Sequence, residues 1–187
     1  MLFNMVSVAQ TKTNIEIINS LIDSSITDIS KDFVFEDVVY YLQFNGAPEH
    51  SILKNQALYS LSKKVNVTDN KTKSIKSLFY TVKNISTIYL DPYKDGLFGS
   101  YKMERQISLL GNFLIYENDA VVKGDEFLKT YRDTIDYDRV KEYESISFSF
   151  THGRIPDEPF FASLLEPAIA VASIAATVIL FFTVRSN

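Results

Sequence analysis

The stretch YKMERQISLLGNFLIYENDAVVKGDEFLKTYR, residues 101–132, decides the fold. Apolar and polar positions alternate through its first half, which is typical of a strand with one buried face. The apolar positions are Tyr101, Met103, Ile107, Leu109, Phe113 and Ile115. Glu117-Asn118-Asp119 then forms a turn signal. Residues 121–132 are therefore expected to return as the second strand of a hairpin.

Two more strands are predicted upstream of this hairpin. Residues 33–44 (FVFEDVVYYLQF) are rich in β-branched and aromatic side chains and end at a turn signal. Residues 75–90 form a long second candidate, with a break or bulge expected near residues 84–86. The polar residues 66–73 between them are expected to form a loop.

Helices are predicted on either side of the first of these strands. Thr13 and Glu16 have the spacing of a capping box, and apolar residues follow at helical intervals until the helix ends near Ser30. A second helix is expected to start at Ser51. The order of elements predicts an α+β fold: a two-layer sandwich of two helices on a mainly antiparallel sheet.

The sequence after the hairpin is less regular. Residues 133–143 are dense in charge and are expected to form an exposed loop linked by ion pairs, while residues 145–150 alternate like a short strand or an extended arm. The resulting division of the chain is a possible remnant of a signal peptide at 1–10, an α+β domain at 11–150, a linker at 151–163, a transmembrane helix at 164–185 and a short tail at 186–187.

The transmembrane prediction rests on an uncharged run. Residues 168–184 (AIAVASIAATVILFFTV) carry no charge and no strong helix breaker. As a helix they would span roughly 25 Å, slightly less than the ~30 Å hydrocarbon core, and apolar residues ahead of the run extend it. The alternative is a buried, alanine-rich core helix.

Small residues recur along this run at intervals of four. Ala168, Ala172 and Ala176 share one face, and Ser173 and Thr177 repeat the spacing beside them. Such a stripe allows close approach of a second membrane helix, although alanine is also common in spanning helices for no such reason.

The two ends of the run carry further signals. Glu166 and Pro167 suit the start of a helix, because proline fits the first helical position and a carboxylate complements the dipole there. Arg185 marks the other end, whereas acids precede the run. By the positive-inside tendency, the tail is expected in the cytoplasm and the domain on the periplasmic side of a bacterial inner membrane.

The N-terminal segment MLFNMVSVAQ is compatible with that placement. It is apolar, and Ser7-Val8-Ala9 fits the small-x-small pattern of signal-peptidase cleavage, but it is too short to hold a whole signal peptide. The segment is interpreted either as the remnant of an export signal or as a frayed apolar terminus or first strand.

The C-terminal region resembles the ending of uncharacterised single-pass bacterial envelope proteins. The resemblance lies in Thr151-His152-Gly153, Leu165-Glu166-Pro167 and Phe182-x-x-Arg185-Ser186, and it covers about the last fifth of the chain. It implies an envelope protein and carries no known activity. The order of elements is also similar to that of small modules in periplasmic assembly and trafficking factors, an analogy at the level of the fold.

Composition and motifs argue against several other classes. The net charge of −4 and the absence of a basic stripe disfavour nucleic-acid binding, and the absence of cysteine excludes disulfides and thiolate chemistry. His50 and His152 have no metal-ligand spacing, and the loop from Gly96 to Ser100 lacks a phosphate-binding lysine. No catalytic residue, cofactor or metal is therefore predicted.

The predicted function is a membrane-anchored envelope module for interaction or assembly, without catalytic activity. Its partners would be the lipid bilayer and a second protein or another copy of the chain. Two alternatives stay open: a tail-anchored adaptor that faces the cytosol, and a ligand-binding or enzymatic domain with no recognisable motif.

Overall fold

The computed structural model describes residues 11–31, 38–68, 70, 76–96, 99–157 and 162–185, and in the last range it describes the side chains of 169–183. The possible signal remnant at 1–10, the tail at 186–187 and the start of the strand predicted at 33–44 lie outside the described residues.

The described residues form six strands and four helices. The strands are β1 Val39–Asn45, β2 Asn66–Thr68, β3 Lys76–Tyr89, β4 Tyr93–Lys94, β5 Tyr101–Glu117 and β6 Ala120–Asp136. The helices are α1 Asn14–Ser30, α2 Leu53–Ser62, α3 Val140–Tyr143 and α4 Ala162–Arg185, and short 3-10 turns occur at Pro48–His50, Tyr137–Arg139 and Ser149–Thr151.

All six strands belong to one mainly antiparallel sheet. The order across it is β2-β1-β3-β5-β6, and the short β4 pairs with the start of β5 just beyond the end of β3. β1 is the exception to the antiparallel pattern, because it runs parallel to both β2 and β3. The crossover from β1 to β3 through α2 accounts for this, since parallel neighbours need a long connection.

The core lies on one face of the sheet, under α1 and α2. Apolar side chains from both helices pack there against alternate residues of β1, β3 and β5, including Ile18, Leu42, Leu78 and Leu109. A second, smaller cluster of Tyr89, Met103, Ile135, Val140 and Tyr143 fills the end of the sheet where β5 begins. The predicted α+β fold, with helices on a mainly antiparallel sheet, is confirmed.

Several local predictions are confirmed. The backbone N–H of Thr13 donates to Glu16 Oε2 at 2.7 Å and the Glu16 N–H donates to Thr13 Oγ1 at 3.4 Å, so the capping box is present. The hairpin turns at Asn118 and Asp119 with φ of 49° and 63°, values that asparagine and aspartate tolerate. β3 has its irregularity between Val82 and Asn84, close to the predicted position.

Other local predictions are wrong. Residues 66–68 form β2, where a polar loop was expected, and α2 begins at Leu53 after a 3-10 turn. The charged segment 133–143 continues β6 as far as Asp136 and then becomes helical.

The alternating residues 145–150 do not form a strand. Thr151 Oγ1 accepts from the Ser145 N–H at 2.9 Å and donates to the Phe148 carbonyl at 2.7 Å. The Phe148 N–H donates to the Ser145 carbonyl at 3.1 Å. These local bonds satisfy the backbone in a turn conformation, which competes with strand pairing.

The helical conformation expected at the C-terminal end is present as α4. Among the described residues, no helix combines the length and the apolar character that crossing a bilayer requires.

Candidate functional site

The described surface of α4 is apolar and exposed. Eight large apolar side chains between residues 169 and 183 are 41–69% exposed. They are Ile169, Val171, Ile174, Val178, Ile179, Leu180, Phe181 and Phe182. Side chains of this kind are normally withdrawn from water, so this helix has the surface of an element that is covered by lipid or by protein.

The hydroxyl groups of α4 are satisfied within the helix. Ser173 Oγ donates to the Ile169 carbonyl at 2.8 Å, Thr177 Oγ1 to the Ser173 carbonyl at 2.8 Å, and Thr183 Oγ1 to the Ile179 carbonyl at 2.6 Å. This bonding to the carbonyl four residues earlier lets serine and threonine lie in apolar surroundings.

The predicted small-residue face can be located in part. Ala172, Ser173, Ala176 and Thr177 are exposed along α4, where a second helix could reach them, and the side chain of Ala168 lies outside the described ones. Whether the face pairs with another helix stays a prediction.

The predicted start of the anchor is wrong in one respect. α4 begins at Ala162, so Pro167 is its sixth residue instead of its first. A proline at that place removes one helical hydrogen bond, the one its N–H would have donated to the carbonyl of residue 163. The side chains of Glu166 and Arg185 lie outside those described, and their predicted electrostatic roles stay predictions.

The face of the sheet opposite the helices carries an apolar patch. Phe79 of β3 and Tyr116 of β5 contact each other with ring centroids 4.7 Å apart. Leu114 lies opposite Phe79, and Leu110 of β5 lies opposite Leu128 of β6. Away from this patch, the same face carries small polar residues such as Ser108 and Thr130.

Strand β6 forms one edge of the sheet. In the described chain it pairs with β5 alone, so its outer row of N–H and C=O groups has no strand partner. Residues 120–126 are all exposed, and Leu128 is 65% exposed. A long edge of this kind is a place where another extended chain can add to a sheet.

A buried polar network closes the other end of the sheet. Arg105 is fully buried, and its Nε and Nη2 donate to the two carboxylate oxygens of Asp133 at 2.9 and 2.5 Å. Its Nη1 donates to Asn14 Oδ1 at 2.6 Å, and its guanidinium lies over the ring of Tyr143 at 5.2 Å. The bidentate pair and the ring hold this cation inside the protein.

The network extends to the segment that follows α3. Asn14 Nδ2 donates to Tyr89 Oη at 2.8 Å and to the Thr151 carbonyl at 2.6 Å. Glu144 Oε1 accepts from Tyr89 Oη at 3.1 Å and from the Gly153 N–H at 2.9 Å. Burial raises the pKa of Tyr89, so its hydroxyl stays protonated. These contacts fasten the start of the predicted linker 151–163 to the domain.

A shallow groove of about 510 Å³ lies beside this network, between the end of β3 and the segment 154–157. Its charged lining residues are Asp91, Arg154 and Asp157. The Thr87 hydroxyl lies buried in its wall, without a hydrogen-bond partner among the described residues.

The two histidines differ in their surroundings. His50 is buried, its ring packs edge-on against Phe150 at 5.3 Å, and burial lowers its pKa, which favours the neutral ring. His152 is exposed and its Nε2 lies 2.8 Å from the Ser145 carbonyl, as expected for a surface loop. Within the described ranges, no three His, Asp or Glu side chains are grouped as metal ligands would be.

No family model matches the chain, and no curated protein matches it. A solved structure of a putative neuraminyllactose-binding hemagglutinin homologue from Helicobacter pylori is similar over 62% of this chain and 74% of that one, with 11% identity and a TM-score of 0.39. At that TM-score the likeness supports no conclusion about this protein.

Proposed function

We propose that this protein is a single-pass membrane protein of the bacterial envelope, in which α4 anchors a non-catalytic α+β interaction domain to the bilayer. The domain is proposed to lie on the periplasmic side and to bind protein partners. The exposed apolar surface of α4 is the observation that carries the proposal.

The apolar side chains of α4 supply the free energy for insertion. Full burial of a large apolar side chain stabilises by about 1.5–3 kcal/mol. Eight such side chains, each 41–69% exposed, therefore represent a gain on the order of 10 kcal/mol when lipid covers them. The internally bonded hydroxyl groups add no large desolvation cost.

The length of the helix also supports the proposal. The 24 residues of α4 extend about 36 Å at 1.5 Å per residue, more than the ~30 Å hydrocarbon core. The described side chains of residues 169–183 cover only part of that length. The rest of the span depends on the flanking apolar residues of the sequence, among them Leu164, Leu165 and Val184.

The interaction role rests on the domain surface. The outer edge of β6 and the apolar patch around Phe79 and Tyr116 lie on the outside of the described domain. The Arg105 side chain, in contrast, is hydrogen-bonded to other residues of the same chain. Binding through a strand edge or an apolar patch needs no catalytic group.

The anchor can be tested by comparing two lysine substitutions in the full-length chain. Ile174→Lys places a charge in the middle of α4, where it costs about 2.5–3.5 kcal/mol per residue for insertion. Ile146→Lys is the matched control, because Ile146 is 99% exposed on the domain. Flotation with lipid vesicles and resistance to carbonate extraction measure membrane insertion.

If α4 is an anchor, the unchanged chain and Ile146→Lys float with the vesicles and resist carbonate. Ile174→Lys should shift at least partly to the soluble or aggregated fraction. Recovery of the unchanged chain in the soluble fraction would contradict the anchor.

A further inference from the structure

We infer that the end of the sheet from which the chain passes to α4 makes a second contact with the membrane, in which Ile88, Leu90 and Tyr93 lie in the bilayer interface. The partner of this surface is the lipid itself. The inference rests on the proposed function, because it requires α4 in the same membrane, and it deepens that function by adding a lipid-binding surface on the domain.

Two of these apolar side chains lie at the end of β3. Ile88 is 45% exposed and Leu90 is 46% exposed, whereas Thr87 and Tyr89, which alternate with them, are buried. This alternation places Ile88 and Leu90 on the outer face of the sheet, away from the helices. The Leu90 N–H donates to the Glu104 carbonyl at 2.9 Å, so Leu90 is still held against β5.

Tyr93 adds an aromatic side chain to the same face. It lies in β4 directly opposite Lys102 of β5, and it is 49% exposed. Lys102 is an even number of residues from Leu110 of the outer face, so Lys102 and Tyr93 project from that face as well. Tyrosine is enriched where a membrane meets water, because its ring is apolar and its hydroxyl is polar.

The chain leaves the domain beside this surface. Ile88 and Asp157 line the same groove. Tyr137 Oη donates to the Pro156 carbonyl at 3.0 Å, which fastens the chain to the domain just before it leaves. Since α4 begins at Ala162, the chain between it and Asp157 spans at most about 18 Å. A helix that enters the bilayer there keeps this end of the domain at the lipid surface.

The tether makes a small apolar surface sufficient. Three half-exposed side chains bury too little surface to hold a free domain on a membrane. In the anchored chain they only have to orient the domain, because the tether already supplies a high effective concentration of lipid. Withdrawal of their apolar surface from water then favours the orientation in which this end faces the bilayer.

Charged side chains of both signs surround this surface. Asp91 and Lys94 flank it along the chain, and Arg154 and Asp157 lie in the adjoining groove. These four charges sum to zero, so contact through the apolar side chains requires no anionic lipid. Vesicles of phosphatidylcholine alone are therefore the appropriate probe.

Spin labelling of the full-length chain in such vesicles tests the contact, because the chain has no cysteine of its own. Leu90→Cys and Tyr93→Cys place labels on the proposed surface. Val121→Cys is the matched control, since Val121 is 54% exposed at the other end of the hairpin. It pairs with Tyr116, twelve residues along β5 from Glu104, and therefore lies about 40 Å away along the strand.

Lipid contact is measured at each label by collision rates with two reagents. Oxygen concentrates in lipid, whereas a water-soluble nickel chelate is excluded from it. The expected ratio of oxygen to nickel collisions is several-fold higher at positions 90 and 93 than at position 121. Flotation of the same samples reports the anchor separately.

Several outcomes would overturn the inference. Ratios at positions 90 and 93 as low as at position 121, in vesicles that carry the chain, disprove the contact and leave the anchor standing. Equally high ratios at all three positions disprove a contact confined to this end. Slow collisions with both reagents at positions 90 and 93 indicate burial against a second copy in place of lipid. A chain that does not float contradicts the anchor and the inference together.

Discussion

At the scale of single residues, Arg105 shows how a charge is kept inside this domain. It lies between Tyr89 of β3 and Asp133 of β6 in the register of three adjacent strands. Its guanidinium is satisfied by Asp133 and Asn14, which joins the first residue of α1 to the sheet. Removing one partner of a buried ion pair is costly, because the charge that remains is neither paired nor hydrated.

Removing the carboxylate should therefore be much more damaging than removing an exposed one. Asp133→Asn is expected to lower the free energy of unfolding by about 3–5 kcal/mol, the usual cost of leaving a buried charge unpaired. Asp125→Asn, an exposed position on the same face of β6, should change it by less than about 0.5 kcal/mol. Urea unfolding followed by circular dichroism measures both, and similar values for the two variants would contradict the buried role of Asp133.

The sequence could have indicated part of this network. Arg105 falls at a core-facing position between Met103 and Ile107, and a charge in such a pattern requires a buried partner. The partner itself was not predictable, because Asn14 lies 91 residues away in the chain and Asp133 lies 28 residues away in a segment that resembled an exposed loop. Register and helix placement bring these residues together, and local patterns do not encode either.

At the scale of secondary structure, two glycines on the central hairpin have different tolerance for a side chain. A Cβ at Gly111 of β5 would collide with the Thr81 carbonyl oxygen on the neighbouring strand and with the Phe127 ring. A Cβ at Gly124 of β6 would meet chiefly the end of the Leu114 side chain, which can rotate away.

Gly111→Ala is therefore expected to destabilise the domain by about 1–3 kcal/mol, since a backbone oxygen cannot move without disturbing the pairing of β3 with β5. Gly124→Ala should cost clearly less. Thermal unfolding of both variants under the same conditions provides the comparison. A Gly124→Ala variant that is as unstable as Gly111→Ala would contradict this difference between a fixed backbone oxygen and a mobile side chain.

Elements with a strong local signal were predictable, and elements defined by distant contacts were not. The capping box at Thr13 and Glu16 and the turn at Asn118 and Asp119 are signals contained within a few residues. β2, in contrast, has three residues and exists through its parallel pairing with β1. Pairing of that kind depends on the crossover through α2, which the composition of residues 66–68 does not reveal.

At the scale of the whole molecule, the domain and α4 differ in the exposure of their apolar side chains. Apolar side chains of the domain are gathered mainly under α1 and α2. Those described in α4 are exposed. The last described residue of the domain, Asp157, is followed by α4 from Ala162, so four residues connect them and can span at most about 18 Å. An anchor at that distance would hold the end of the sheet that carries the Arg105 network close to the membrane surface.

The proposed placement of α4 across the inner membrane, with the domain outside, is tested most directly by protease digestion. The chain is tagged at its C-terminus and digested in intact bacterial spheroplasts and again after lysis. This placement predicts that the domain is digested in intact spheroplasts and that a small tagged fragment remains in the membrane. A domain that stays protected until lysis would contradict the periplasmic placement and favour an adaptor facing the cytosol. A tagged chain released from the membrane without digestion would contradict the anchor itself.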